Sequence, residues 1–173
     1  MQMADELPMT WGALLSVYVC VENYPRPKYP LLPSLLWAYS VISTVWQIYL
    51  TRSFPVFHEI QFGALMLFVV HALFSFAYRH PNPLVRRLLF LYVSFFFVAF
   101  FFCWIPDQVF CQFWRSLGHR NPQLHAVWHV LMSFTVHFST LITQYMRAET
   151  RKQNPHFLTI LGIPYLVALG GEE

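Results

Sequence analysis

Charged residues gather in short clusters along the chain and leave five stretches that are almost wholly apolar: Pro8 to Glu22, Leu31 to Leu50, Phe54 to Tyr78, Leu88 to Ile105 and Leu124 to Met146. They are too long and too uniform for the core of a soluble protein of this size, and each predicts a helix. A bilayer-spanning helix takes about 20 residues. The first stretch is short by that measure and must borrow its flanks or lean on neighbouring helices. A sixth apolar patch, Phe157 to Leu169, is interrupted by Gly162 and Pro164 and reads as an interfacial or tail segment. Pro25, Pro27 and Pro30 break the first connection, and Pro81 and Pro83 the third. The longest connection, Pro106 to Gln123, carries Asp107, Cys111 and Gly118 and is placed to act as a lid.

Composition strengthens this picture. The chain is 57% hydrophobic and 19% aromatic with only 11% charged residues, which points to an integral membrane protein. The expected fold class is all-α, a polytopic transmembrane helix bundle of about five spans. A formal charge of +3 is modest, and the Lys and Arg sit beside span ends rather than on one basic face, which argues against nucleic acid as a partner. The beginning of the chain is acidic where a cleavable signal would be basic, so the first helix itself is expected to direct insertion. Cys20, Cys103 and Cys111 match no zinc-finger spacing.

With five spans, the starts of the first, third and fifth share one leaflet. Arg52, Arg115 and Arg120 flank that side, and Arg26, Lys28, Arg79, Arg86, Arg87, Arg147, Arg151 and Lys152 flank the other. That asymmetry predicts a cytosolic C-terminus.

Ionisable groups inside a bilayer are expensive and usually face the protein interior. Those on the first side are Asp5, Glu6, His58, Glu59, Asp107, His125 and His129. His125 and His129 stand four apart in Leu124-His125-Ala126-Val127-Trp128-His129, so both imidazoles lie on one helix face, a metal-ligand spacing. The bland alternative is a pair of interfacial histidines served by headgroups, water or a carbonyl. A catalytic zinc normally has three protein ligands and one open position. His58 is the first suspect for the third, since His137 lies about 12 Å deeper than His129. Ala126 stands where the metalloprotease helix motif has its Glu, and Asp5 is the natural substitute for that base. His71, His80, His119 and His156 read as structural. Asp107 is as ready to cap a helix or pair with Arg115 or Arg120 as to act in catalysis. Trp104, Trp114 and Trp128 read as an aromatic belt, and the Phe run around Phe95 to Phe102 as lipid-facing or packing surface.

Three ordered motifs carry a resemblance: Asp5-Glu6-Leu7-Pro8-Met9, then Trp104-Ile105-Pro106-Asp107 with Phe110-Cys111, then His125-Ala126-Val127-Trp128-His129. Together they resemble the alkaline ceramidases, and the first string resembles the phytoceramidase-like branch. The likeness runs to about Glu149. It implies a zinc-dependent, seven-helix membrane enzyme of sphingolipid metabolism that hydrolyses the amide bond of ceramide or phytoceramide to sphingoid base and fatty acid, in the endoplasmic reticulum or Golgi membrane. In those terms Asp5 matches the catalytic aspartate, His125 and His129 match two zinc ligands, and the chain divides into a partial ceramidase-type domain, 1–149, and a tail, 150–173. The family's upstream acidic segment, implicated in calcium binding, and its Ser/His motif have no counterpart here. The resemblance therefore implies an N-terminally truncated chain holding the last five of seven helices, with impaired turnover. The upstream segment also supplies the family's disulfide partner on that side, so Cys111 is expected to be a free thiol. The alternative function is a non-catalytic membrane fragment or interaction protein that retains the fold.

Overall fold

The structure, a computed structural model, describes residues 3–22, 28–50, 57–107, 109, 116 and 124–169. Most of them form five helices: α1 (Met3–Val21), α2 (Leu32–Leu50), α3 (Phe57–Ala77), α4 (Pro83–Val98) and α5 (Leu124–Thr150). A π-helical segment, Ala99–Trp104, continues α4, and an antiparallel hairpin of β1 (Pro155–Ile160) and β2 (Ile163–Leu169) follows α5.

Many large apolar side chains are exposed, while several polar ones are buried beside an apolar core. Trp37, Leu67 and Phe90 are each 71% exposed, whereas Thr10 and Thr135 are 1% exposed and Gln47 2%. In hydrocarbon this is the favourable arrangement, because apolar side chains meet lipid tails while polar ones must find partners inside the protein. Three runs, Phe57–Ala77, Pro83–Asp107 and Leu124–Thr150, are long and apolar enough to cross a membrane, and Leu7–Val21 is a shorter apolar helix. The five helices fall where the sequence predicts them, but only those three meet both criteria. α2 has 19 residues, about 28 Å of rise, and is diluted by Ser40, Ser43, Thr44 and Gln47.

Helix starts differ from expectation. α1 begins at Met3 rather than Pro8, which brings Asp5 and Glu6 into its first turns, where the helix dipole favours carboxylates. α4 begins at Pro83 rather than Leu88. Pro83 reads as a break, but a proline is tolerated at the first helical position, where its missing N–H is not needed. Asn82 caps the helix, its side chain accepting from the backbone N–H of Leu84 at 2.9 Å.

Two compact units emerge: Met1–Phe76 with Met146–Asn154, and Ala77–Tyr145 with Pro155–Glu173. In the first, α1 meets α2 through Trp11, whose Nε1 donates to Thr44 Oγ1 at 3.1 Å. Buried Glu22, at the end of α1, accepts from the backbone N–H of Lys28 at 2.9 Å and of Tyr29 at 2.7 Å. These charge-assisted bonds secure the connection to α2.

In the second unit α4 packs on α5 through Phe95, whose ring centroid lies 5.3 Å from Phe134 and 5.5 Å from Phe138. Phe96, Phe100 and Trp104 stack in a ladder through the π segment, while Phe97 and Phe102 are exposed. The Phe run is thus both packing surface and apolar exterior. Asn82 also donates to Tyr145 Oη at 3.2 Å, and the ring of Tyr145 stacks on Phe157 at 4.7 Å. The hairpin is a finding the sequence reading did not foresee. Leu161 and Gly162, with φ of 50° and 74°, make the two-residue turn with both central residues left-handed that suits strand twist. The register slips between Leu158 and Thr159, opposite Pro164. That residue has no N–H to give the ladder. The two residues that interrupt the apolar patch are the turn and the irregularity.

Candidate functional site

α5 opens at Leu124 and carries His125 and His129 one turn apart. Their Nε2 atoms face each other at 3.2 Å, and the rings meet edge to face with centroids 4.8 Å apart. Two imidazole nitrogens so placed can share one proton, or direct their lone pairs at one cation. For a tetrahedral ion with bonds of about 2.0–2.1 Å the edge between two donors is about 3.3 Å. The observed spacing is close to that edge, as it would be for two of the three protein donors such a site takes.

Two neighbours from the same unit hold the pair. Trp128, between them in sequence, is 5% exposed, and its ring lies 5.4 Å from that of His125 and 4.6 Å from that of His129. The aromatic-belt reading of Trp128 is therefore corrected: its side chain is inside, wedged against both imidazoles. Asp107, in the α-helical residues that follow the π segment, places Oδ2 3.7 Å from Nδ1 of His125. Sequence reasoning counted Asp107 on the same side and left it open between a helix cap, a pair with Arg115 or Arg120, and catalysis. Both arginines lie outside the described residues, and the partner seen is His125. The signal that could have found it is the match of depth between the end of one apolar run and the beginning of the next.

His58 has an occupation of its own in the first unit. It is 7% exposed, and its Nδ1 accepts from Gln47 Nε2 at 3.0 Å, with Thr10 Oγ1 at 3.5 Å. Gln47 Nε2 also lies 3.4 Å from Gln61 Oε1. The amide nitrogen of Gln47 can only donate, so with this contact the proton of a neutral His58 sits on Nε2. α1, α2 and α3 each contribute to this buried polar knot, which hydropathy alone leaves invisible.

Asp5 lies on the backbone of α1, but its side chain, like that of Glu6, is outside the described residues, as is Cys111. Cys20 and Cys103 are free thiols. Among the described residues no group of three or more His, Cys, Asp or Glu is assembled in the form of a metal site. His80 is structural, as expected: it is buried, accepts from the backbone N–H of Asn82 at 3.1 Å and meets Tyr145 edge-on. His71, His137 and His156 are exposed.

The family model for Ceramidase matches residues 1–167. The chain is 30% identical over 167 residues to an alkaline ceramidase of Arabidopsis thaliana, covering 95% of this chain and 63% of that protein. It is 29% identical over 174 residues to alkaline ceramidase 3 of Mus musculus, covering 94% and 63%. Against alkaline ceramidase 1 of Homo sapiens the identity is 24% over 190 residues, covering 99% and 67%. The chain thus spans 63% of the length of the first two relatives.

Proposed function

The chain belongs to the ceramidase family, and from that membership we propose that it takes part in sphingolipid metabolism as a membrane amidohydrolase, cleaving the amide bond of a ceramide or phytoceramide. The observation that carries the reading is the 3.2 Å approach of His125 and His129 Nε2 on one turn of an apolar helix, in a chain matched by the family model over nearly its whole length.

In this reading His125 and His129 hold a zinc ion through their Nε2 atoms. When bound, zinc supplies Lewis-acid polarisation of a carbonyl and water acidified towards neutral pH. The chain's own contribution is acid–base: Asp5 takes a proton from the attacking water on its carboxylate and passes it to the nitrogen of the departing sphingoid amine. The amide C–N bond breaks, and the water oxygen stays on the fatty acid. Trp128 limits the freedom of both imidazoles. In the unit that carries the histidines, the exposed Phe90 and Phe97 of α4 suit contact with lipid, and a two-chain substrate enters sideways from the bilayer. The excess of Lys and Arg after the first, third and fifth apolar stretches supports a cytosolic C-terminal end. By the same likeness the membrane is that of the endoplasmic reticulum or Golgi.

The test is zinc per chain in detergent-purified protein, wild type beside a His125→Ala/His129→Ala double variant, followed by ceramide hydrolysis on the same samples. Zinc bound by the wild type and lost in the double variant, together with whatever hydrolysis the chain retains, is expected. Equal zinc in the two would remove the histidines from the metal site, and hydrolysis that survives Asp5→Ala would remove Asp5 from the chemistry.

A further inference from the structure

Asp107 approaches His125 from the side away from His129. Its Oδ2 lies 3.7 Å from Nδ1, while the Nε2 of the same ring faces His129. The carboxylate approaches Nδ1, the ring nitrogen that does not face His129, so its contact is not that of a ligand. It is placed behind one. The Asp107 side chain is 13% exposed against 43% for His125, and its Oδ1 is buried with no hydrogen-bond partner among the described residues. A carboxylate so withdrawn from water needs a donor. Nδ1 of His125, at 3.7 Å, lies about half an ångström beyond hydrogen-bond range, which ends at about 3.2 Å.

The backbone explains how the carboxylate gets there. Through Ala99–Trp104 the helix is π-wound, and the N–H of Ile105 reaches the carbonyl of Phe100, five residues back. One extra residue in a turn rotates everything beyond it by about 100° relative to an uninterrupted α-helix. Asp107 follows directly. Unbroken α-winding from Pro83 would aim it at a different face.

We propose that Asp107 is a positioning residue for His125: by accepting the Nδ1 proton it fixes the tautomer with a free lone pair on Nε2 and holds the ring in its ligating orientation. A second-sphere acceptor of this kind is typically worth about 10–100-fold in metal affinity. The inference rests on the metal-binding reading above and adds to it a residue outside the ligand set.

The test uses the full chain in detergent, stripped with chelator and titrated with Zn²⁺ in competition with an indicator, and with Co²⁺ followed by its visible spectrum. Asp107→Ala is expected to weaken both metals by about 10–100-fold and to alter the Co²⁺ bands. Asp107→Asn keeps the shape and an acceptor oxygen but not the charge, so it is expected to fall between Ala and wild type. A merely structural aspartate would lower thermal stability and leave the affinity of the folded protein alone. Wild-type affinity in both variants overturns the proposal, and if the Ala variant does not fold, wild-type affinity in the Asn variant suffices. A wild-type chain that binds neither metal overturns the metal reading itself, a result separable from failure at Asp107 because it appears before any variant is made.

Discussion

Replacing Gln47 by Leu tests how the polar knot of the first unit is held. The Gln47 side chain is 2% exposed and lies near three partners: His58 Nδ1 at 3.0 Å, Gln61 Oε1 at 3.4 Å and Thr10 Oγ1 at 3.5 Å. Only the first is within ordinary hydrogen-bond range, so the knot should behave energetically as one good bond with two weak ones. Within a membrane protein such a bond averages about 0.6 kcal/mol by double-mutant cycle, with a maximum of about 1.7. The single change costs more than the bond, because His58 Nδ1 is left buried without its donor, a penalty of about 1–3 kcal/mol. Gln47→Leu is therefore expected to destabilise by about 1–3 kcal/mol, and His58→Leu, which removes the acceptor of the 3.0 Å bond, by no more than that. The double variant strands neither group and should be more stable than the sum of the two predicts, by about 0.6–1.7 kcal/mol. Equilibrium unfolding in mixed micelles, followed by tryptophan fluorescence, gives all four corners of the cycle. Additivity within error would refute the Gln47–His58 bond. A coupling well beyond about 2 kcal/mol would refute the claim that one bond dominates.

Asn82→Ala removes both the cap on Leu84 N–H and the bond to Tyr145 Oη; a loss of about 2 kcal/mol is expected from one cap and one hydrogen bond. Asn82→Ser should restore the cap's share and not the rest, as read by thermal unfolding. At Gly162 an added Cβ meets only Arg87 Nη1, at 3.5 Å, but φ is +74°, so Gly162→Ala should cost about 1 kcal/mol from backbone alone. Faster amide exchange confined to 155–169, with an unchanged midpoint for the helices, would bear that out. A fall in the global midpoint would show that the hairpin supports more than itself.

The sequence by itself determined the helices and the histidine pair. Long uncharged runs leave a chain in lipid no way to satisfy its backbone except helix, and an i, i+4 spacing fixes two side chains on one face whatever surrounds them. Hence the five elements and the meeting of His125 with His129 were legible before any coordinates. Boundaries were less so, because Pro83 breaks a helix or begins one according to what stands before it, and only the geometry of Asn82 decides between them. What tertiary structure alone decided depends on distance between residues far apart in sequence. Asp107 reached His125 because a π-wound turn changed the phase of the helix carrying it. Trp128 went inward because its neighbours on α5 were imidazoles to pack against. Thr10, Gln47, His58 and Gln61 found one another across three helices, a meeting that hydropathy does not report. Apolar length is additive along the chain and can be read from it. A polar partner is chosen by the free energy of a shared buried space, which exists only once the helices have packed.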